Sequence, residues 1–255
     1  MWAEIILSSI ILSVASAIQS VVGFGLALFS VPLLVLIGVP LLPAIFLVMS
    51  VSCVSALLGV GRLRGDLQPK LAIQATMARV VGILPGYLAA LYTANSSPAN
   101  LKAAMGFAIG LGVIAQSRKM FGNAPDMPQG QEPNMKMAPY AFLSSGFLAG
   151  WLGMGGPPVI FWLLSGRQDA KKTRAFLFSI YVLTIPFQLA LMAYHCPQTM
   201  WRALPILLFA LPASLASTSY FLRLGDRLEV AKLQKLSLGL LTLLSAKAFL
   251  DWFAV

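Results

Sequence analysis

No aspartate or glutamate lies in the interior of any long apolar run of this sequence. Of its eight acidic residues, Glu4 and Asp251 sit near the chain ends. Asp66, Asp126, Glu132, Asp169, Asp226 and Glu229 fall in polar stretches between runs. Ion pumps that carry protons usually keep a buried carboxylate, and intramembrane metal hydrolases need histidine and carboxylate ligands. The only histidine, His195, stands at the edge of a run. Cysteine is nearly absent too: Cys53 and Cys196 are far apart and show no CxxC, haem or zinc spacing, so both read as small packing residues. There is no GxxxxGK[ST] phosphate loop, and no base lies near a serine to make it a nucleophile. The chain is therefore read as a non-enzyme with no metal and no cofactor.

Charge of either sign is scarce. Charged residues make up 10% of the chain and hydrophobic residues 58%, whereas soluble domains carry about 25% charged residues. Such a chain cannot cover a water-soluble surface, so it is read as an all-α, polytopic membrane protein whose main partner is the lipid bilayer. The net charge of +10 would suggest nucleic acid in a soluble protein. Here the lysines and arginines lie mostly in short gaps between apolar runs, the usual orientation signal of a membrane protein, and no nucleic-acid partner is expected. The N-terminal run begins at Ala3 with Glu4 and no basic residue before it, so it reads as a retained membrane helix.

What the sequence does have is a pair of glycine-rich knots inside apolar sequence: Gly23-Phe24-Gly25 and Gly153-Met154-Gly155-Gly156-Pro157-Pro158. An unpaired peptide group in lipid costs several kcal/mol, so broken backbone survives only inside the protein or beside a wet cavity. One break in each half of a chain points to a transport site. Apolar segments are expected at 3–22, 26–37, 41–60, 70–91, 101–117, 138–152, 157–165, 175–194, 202–221 and 232–250. About 20 helical residues span the hydrocarbon core, so 26–37 and 157–165 are too short and read as half-helices or return arms of broken hairpins.

Each knot is followed by a short arm and then three long segments, and Gly153 and Gly155 follow Gly23 and Gly25 at a constant offset. This predicts a first membrane repeat over 1–118, a cytoplasmic linker over 119–137 and a second repeat over 138–255. Four basic groups, around Arg62, Arg118, Arg174 and Arg227, fall in alternate gaps. With those groups in the cytoplasm, the first hairpin opens outward, the second opens inward, and the repeats are inverted. A plain eight-helix bundle competes with this reading, but it scatters the basic groups over both sides.

A site without buried acids favours an anionic or neutral substrate. The arms starting near Leu26 and Pro157 offer free N–H groups and positive dipole ends, and bare glycines let an anion approach the peptide. The candidate substrate-binding residues are Gln19, Gly23, Gly25, Arg79, Gly153, Gly155, Gly156 and Pro157. The competing reading of the glycines is tight hairpin crossing. Arg79, inside the 70–91 run, either snorkels toward the cytoplasm or faces the cavity. Ser20, Ser52, Ser55, Ser179 and Gln188 lie at similar depth. Trp151 and Trp162 flank the second knot as wall or as packing. Gly82 with Gly86, and Gly146 with Gly150, read as helix-crossing pairs.

The chain resembles the TauE/SafE family of membrane permeases. The resemblance rests on Gly23-Phe24-Gly25 with Pro32 seven residues after Gly25, on Gly150 through Pro158, on Phe161-Trp162-Leu163 and on the basic stretch around Arg174. Members often carry a denser glycine run where this chain has Leu26 and Ala27. The resemblance implies a bacterial inner-membrane, multi-pass transporter of small sulfur-containing anions such as sulfite or sulfoacetate; the sulfur comes from the family alone. A passive anion channel, or a permease for an unrelated small solute, is the alternative. The sequence names no coupling ion and no oligomeric state.

Overall fold

The computed structural model describes residues 2–95, 106–107, 110, 113–114, 131–166 and 168–224, and among them the fold is all-helical with no strand. The elements are α1 (Trp2–Val22), α2 (Leu26–Leu36), α3 (Leu41–Arg62), a 3-10 turn (Arg64–Asp66), α4 (Pro69–Ala94), α5 (Ala138–Leu152), α6 (Gly156–Leu163), α7 (Ala170–His195) and α8 (Pro197–Leu224). Helices α1, α3, α4, α7 and α8 are long and apolar enough to cross a bilayer. With 11 and 8 residues, α2 and α6 fall short of it, as the sequence predicts. Most of the expected segment 101–117, all of 232–250 and most of the 119–137 linker lie outside the described residues.

Two helices begin earlier than hydropathy suggests. Helix α7 starts at Ala170 rather than 175, because Lys171, Lys172 and Arg174 continue the helix. Long basic side chains are good helix formers that reach water from an interfacial turn. Helix α8 starts at Pro197 rather than 202; proline suits the first helical position, where its missing N–H has no partner to lose. The expected gap at 195–201 therefore shrinks to Cys196.

The outer face of α4 exposes Met77, Val81, Leu84 and Leu88, and α1 exposes Ile6, Ile10 and Val14. These stripes at helical spacing suit lipid, where apolar exposure carries no penalty. Some buried hydroxyls are satisfied within their own helix: Ser16 and Ser20 each donate to the carbonyl four residues back, at 2.7 and 2.6 Å, whereas those of Ser8, Ser30 and Ser214 have no partner among the described residues.

The two most extensive helix pairings are α4 with α5 and α1 with α8, and α3 packs on both α7 and α8. If α5 is the counterpart of α1, and α8 that of α4, these two pairings are one pairing occurring twice. Their chemistry differs. On α4 and α5 the backbones touch: a Cβ on Gly82 or Gly86 would run into the Leu143 or Phe147 carbonyl, and one on Gly146 or Gly150 into the Arg79 or Ile83 carbonyl. Along α1 and α8, Ser8, Leu12, Ala15, Ala203, Ala210 and Ser214 are buried, and Ser217 Oγ donates across the pair to the Ser13 carbonyl at 2.8 Å. Small residues permit close approach in both, but only the first is backbone against backbone.

Candidate functional site

The first knot breaks the chain by left-handed backbone. Gly23 sits at φ 90° and Gly25 at φ 109°, a region that strains any residue with a Cβ. The Gly23 N–H closes α1 on the Gln19 carbonyl at 2.7 Å, and Phe29 N–H reaches the Gly25 carbonyl at 3.1 Å. That leaves the N–H groups of Leu26, Ala27 and Leu28 with no carbonyl partner among the described residues, as the start of any α-helix does.

The second knot is built differently. Gly153, at φ 74°, caps α5: its N–H bonds the Ala149 carbonyl at 2.9 Å, and Met154 N–H bonds the Leu148 carbonyl at 3.1 Å. Gly155 has φ −74°, open to any residue, so conformation does not demand glycine there. Space does. A Cβ would lie 2.7 Å from the Ser145 carbonyl oxygen, 2.8 Å from the Ala149 Cβ and 3.0 Å from Arg79 Nη2. Pro157 and Pro158 have no N–H, so the first turn of α6 offers only those of Gly156 and Val159.

The knots are reciprocally backed. Gly23 packs against Arg174 and Leu177 of α7, and Gly153 against Ile45 and Met49 of α3. They also meet each other, since a Cβ on Gly156 would lie 3.5 Å from the Phe24 ring. Chain segments 130 residues apart thus close on a common centre.

At that centre is a cavity of about 30 Å³. Its walls include Gly25 to Leu28 from the first knot, Gly153 to Gly156 from the second, and Gln19, Ser52, Arg79, Tyr181 and Gln188. One water needs roughly 10–15 Å³ of such volume, so an anion of four or more heavy atoms requires the walls to move. Met49 and Met154 belong to those walls, and unbranched methionines adapt readily.

Arg79 is 2% exposed. Its Nη1 donates to Ser145 Oγ, which donates to the Gly155 carbonyl. Its guanidinium carbon lies 5.9 Å from the centroid of the Tyr181 ring, and its Nε has no hydrogen-bond partner among the described residues. Among the described residues no carboxylate lines the cavity. Removing a guanidinium from water without a counter-charge costs several kcal/mol. The polar remainder is neutral: Gln19 Nε2 donates to Ser52 Oγ at 3.1 Å, and Gln188 Nε2 to the Ala149 carbonyl at 2.7 Å. The arrangement offers a fixed positive charge, free N–H groups and neutral donors, which is chemistry for holding an oxyanion.

Of the eight residues singled out in the sequence, Gln19, Gly25, Arg79, Gly153, Gly155 and Gly156 line this one cavity. Gly23 does not; it lies behind the knot against Arg174. Nor does Pro157, which borders an apolar groove with Tyr140, Phe147 and Phe161. Arg79 points inward and does not snorkel. Trp151 Nε1 donates to Thr93 Oγ1 at 2.8 Å and Trp162 Nε1 to the Asn134 carbonyl at 3.0 Å, so both tryptophans pack and neither walls the cavity. Sequence reasoning missed Ser145 and Tyr181. The one available signal was the Gly146–Gly150 pair, which marks Ser145 as the neighbour of a close helix crossing.

A family model described as sulfite exporter TauE/SafE matches residues 9–248, nearly the whole chain. No curated protein and no solved structure matches it.

Proposed function

The chain belongs to the TauE/SafE sulfite exporter family, and from that premise we propose that this multi-pass membrane transporter is a secondary carrier of a small anion, sulfite or an organosulfonate such as sulfoacetate. The observation that carries the reading is Arg79, buried with no counter-charge among the described residues at the cavity where both knots converge. A bacterial inner membrane is the proposed location. The proposed binding groups are the N–H groups at the start of α2, the Gly155 and Gly156 peptides, Gln19 and the Arg79 guanidinium.

The proposed architecture is an inverted repeat, with the halves meeting at the site. It is supported by the recurrence of a helix ending in a glycine knot, a short arm and two long helices, by the equivalent α1–α8 and α4–α5 pairings, and by the crossed backing of each knot by a helix of the other half. In this arrangement both termini lie outside the cytoplasm and the 119–137 linker inside. Cysteine labelling at 92–100 and 120–130, in a background lacking Cys53 and Cys196, checks it. Labelling of 120–130 in intact cells by a membrane-impermeant reagent overturns the orientation.

Transport is tested in proteoliposomes loaded with sulfite or sulfoacetate. Saturable counterflow exchange is the expected result for a carrier. Non-saturating, voltage-driven flux far above carrier rates would replace it with a passive channel.

A further inference from the structure

We propose that the cavity accepts singly charged oxyanions and rejects their doubly charged counterparts, so that of the hydrogen sulfite/sulfite pair the protein moves the monoanion. This rests on the anion-transport reading above and specifies its substrate class.

The charge of the site fixes the rule. Among the described residues that line the cavity, Arg79 is the one charged side chain; Gln19, Ser52 and Gln188 are neutral amides or hydroxyls, and Tyr181 is a phenol. Helix dipoles do not add to the total. At each knot the C-terminal end of one helix meets the N-terminal end of the next, α1 with α2 and α5 with α6. The partial charges of about −0.5 and +0.5 at these ends therefore add no net charge at a knot, although the N–H groups at the head of α2 still donate to an anion. The fixed charge is that of a single guanidinium.

A monoanion neutralises that charge where it stands. A dianion of the same shape brings a second negative charge into the same low-dielectric space and leaves it without a partner, which is strongly unfavourable. Neutralising the excess by a proton needs an acid about as strong as hydrogen sulfite; among the described residues neither carboxylate nor histidine lines the cavity, and a phenol such as Tyr181 is a far weaker acid. None of the chain's eight acidic residues lies in the interior of an apolar run. The other titratable groups on the surrounding helices include Cys53 on α3 and Arg174 on α7. Neither lines the cavity, and the Arg174 stem packs behind Gly23. Among the described residues no lining group converts a bound dianion to a monoanion, so selection occurs at entry, on the species already present in water.

Sulfonates are monoanions across the neutral range, whereas hydrogen sulfite gives way to the sulfite dianion near neutral pH. The test uses proteoliposomes of the full chain, with protein-free vesicles subtracted for leak of sulfur dioxide. Methanesulfonate and sulfate serve as tetrahedral near-isosteres that differ by one charge. Sulfate is expected to compete with sulfite uptake at least about tenfold more weakly than methanesulfonate does. Between pH 6 and pH 8, sulfite uptake is expected to fall in step with the hydrogen sulfite fraction while methanesulfonate uptake stays level. Equal competition by sulfate, or sulfite uptake that is flat or rising with pH, overturns the charge rule and leaves anion transport standing. A parallel fall of both anions with pH also overturns it, because the titration then belongs to the protein. If neither anion shows saturable uptake, the transport reading fails and the charge rule fails with it.

Discussion

The two glycine knots look alike in sequence and solve the same problem by different means. The first relies on backbone: left-handed Gly23 and Gly25 turn the chain and present three successive free N–H groups at the head of α2. The second has only one left-handed glycine, and two prolines strip N–H donors from the head of α6. Its shortage of peptide donors is met by a side chain from elsewhere, Arg79 of α4, tied through Ser145 to the Gly155 carbonyl. A shared motif is thus no guide to shared chemistry. One knot is a conformational device and the other is a socket for an arginine.

The sharpest way to break this comparison is to put the same side chain into each knot. Gly155→Val drives carbons onto the Ser145 carbonyl and the Ala149 side chain, so transport is expected to be nearly abolished, with a clear loss of folded yield. At Gly25 the nearest atoms are flexible parts of Phe29 and Ile18 at 3.4 and 3.5 Å. The penalty there is mainly the left-handed backbone, about 1–2 kcal/mol. Gly25→Val is expected to fold better than Gly155→Val while losing most of its transport per folded molecule. Monodisperse elution in detergent and uptake normalised to folded protein measure both. The reverse order of folded yields would mean that the first knot, not the second, is the tightly packed one.

The arginine itself gives the next effect. Hydrogen bonds to charged groups are worth about 1.5–3 kcal/mol, so Arg79→Gln is expected to raise the half-saturating anion concentration by roughly tenfold to a hundredfold. Ser145→Ala keeps the charge but frees it from the Gly155 carbonyl, and a rise of roughly threefold to tenfold is expected from a neutral bond worth about 1 kcal/mol. Substrate-concentration series in proteoliposomes separate the two. A larger effect at Ser145 than at Arg79 would make the serine the binding group and the arginine its support.

Smallest is the effect of restoring what the second knot lacks. Pro157→Ala returns an N–H to the first turn of α6 at a position that faces the apolar groove and not the cavity. Transport within about twofold of wild type is expected, as for substitutions away from a critical contact. A gain of tenfold in apparent affinity would show that the second knot is limited by donors after all.

How much of this the sequence discloses depends on the range of the interaction. The helix breaks are local, set by glycines in otherwise apolar runs, and the short arms begin at Leu26 and Gly156, at and one residue before the expected starts. The arginine's burial is half legible: its depth follows from counting along α4, but its direction depends on a neighbour. Ser145 and Tyr181 are not legible, because one is a serine among many and the other a tyrosine in an apolar helix. Their significance comes from the α4–α5 register and the approach of α7. Helix ends at Ala170 and Pro197 escaped hydropathy because basic and turn-forming residues are helical there.

The meshing of α4 with α5 has a further consequence for where the positive charge can sit. The Leu143 and Phe147 carbonyls occupy the notches at Gly82 and Gly86, and the Arg79 and Ile83 carbonyls occupy those at Gly146 and Gly150. These are teeth spaced four residues apart, and they engage at discrete settings. One helix cannot creep along the other by a fraction of a turn; to disengage, it must jump a whole notch of about 6 Å, four residues at 1.5 Å each. The guanidinium is therefore indexed to one depth in the protein by a rack of peptide groups rather than by its own flexible stem.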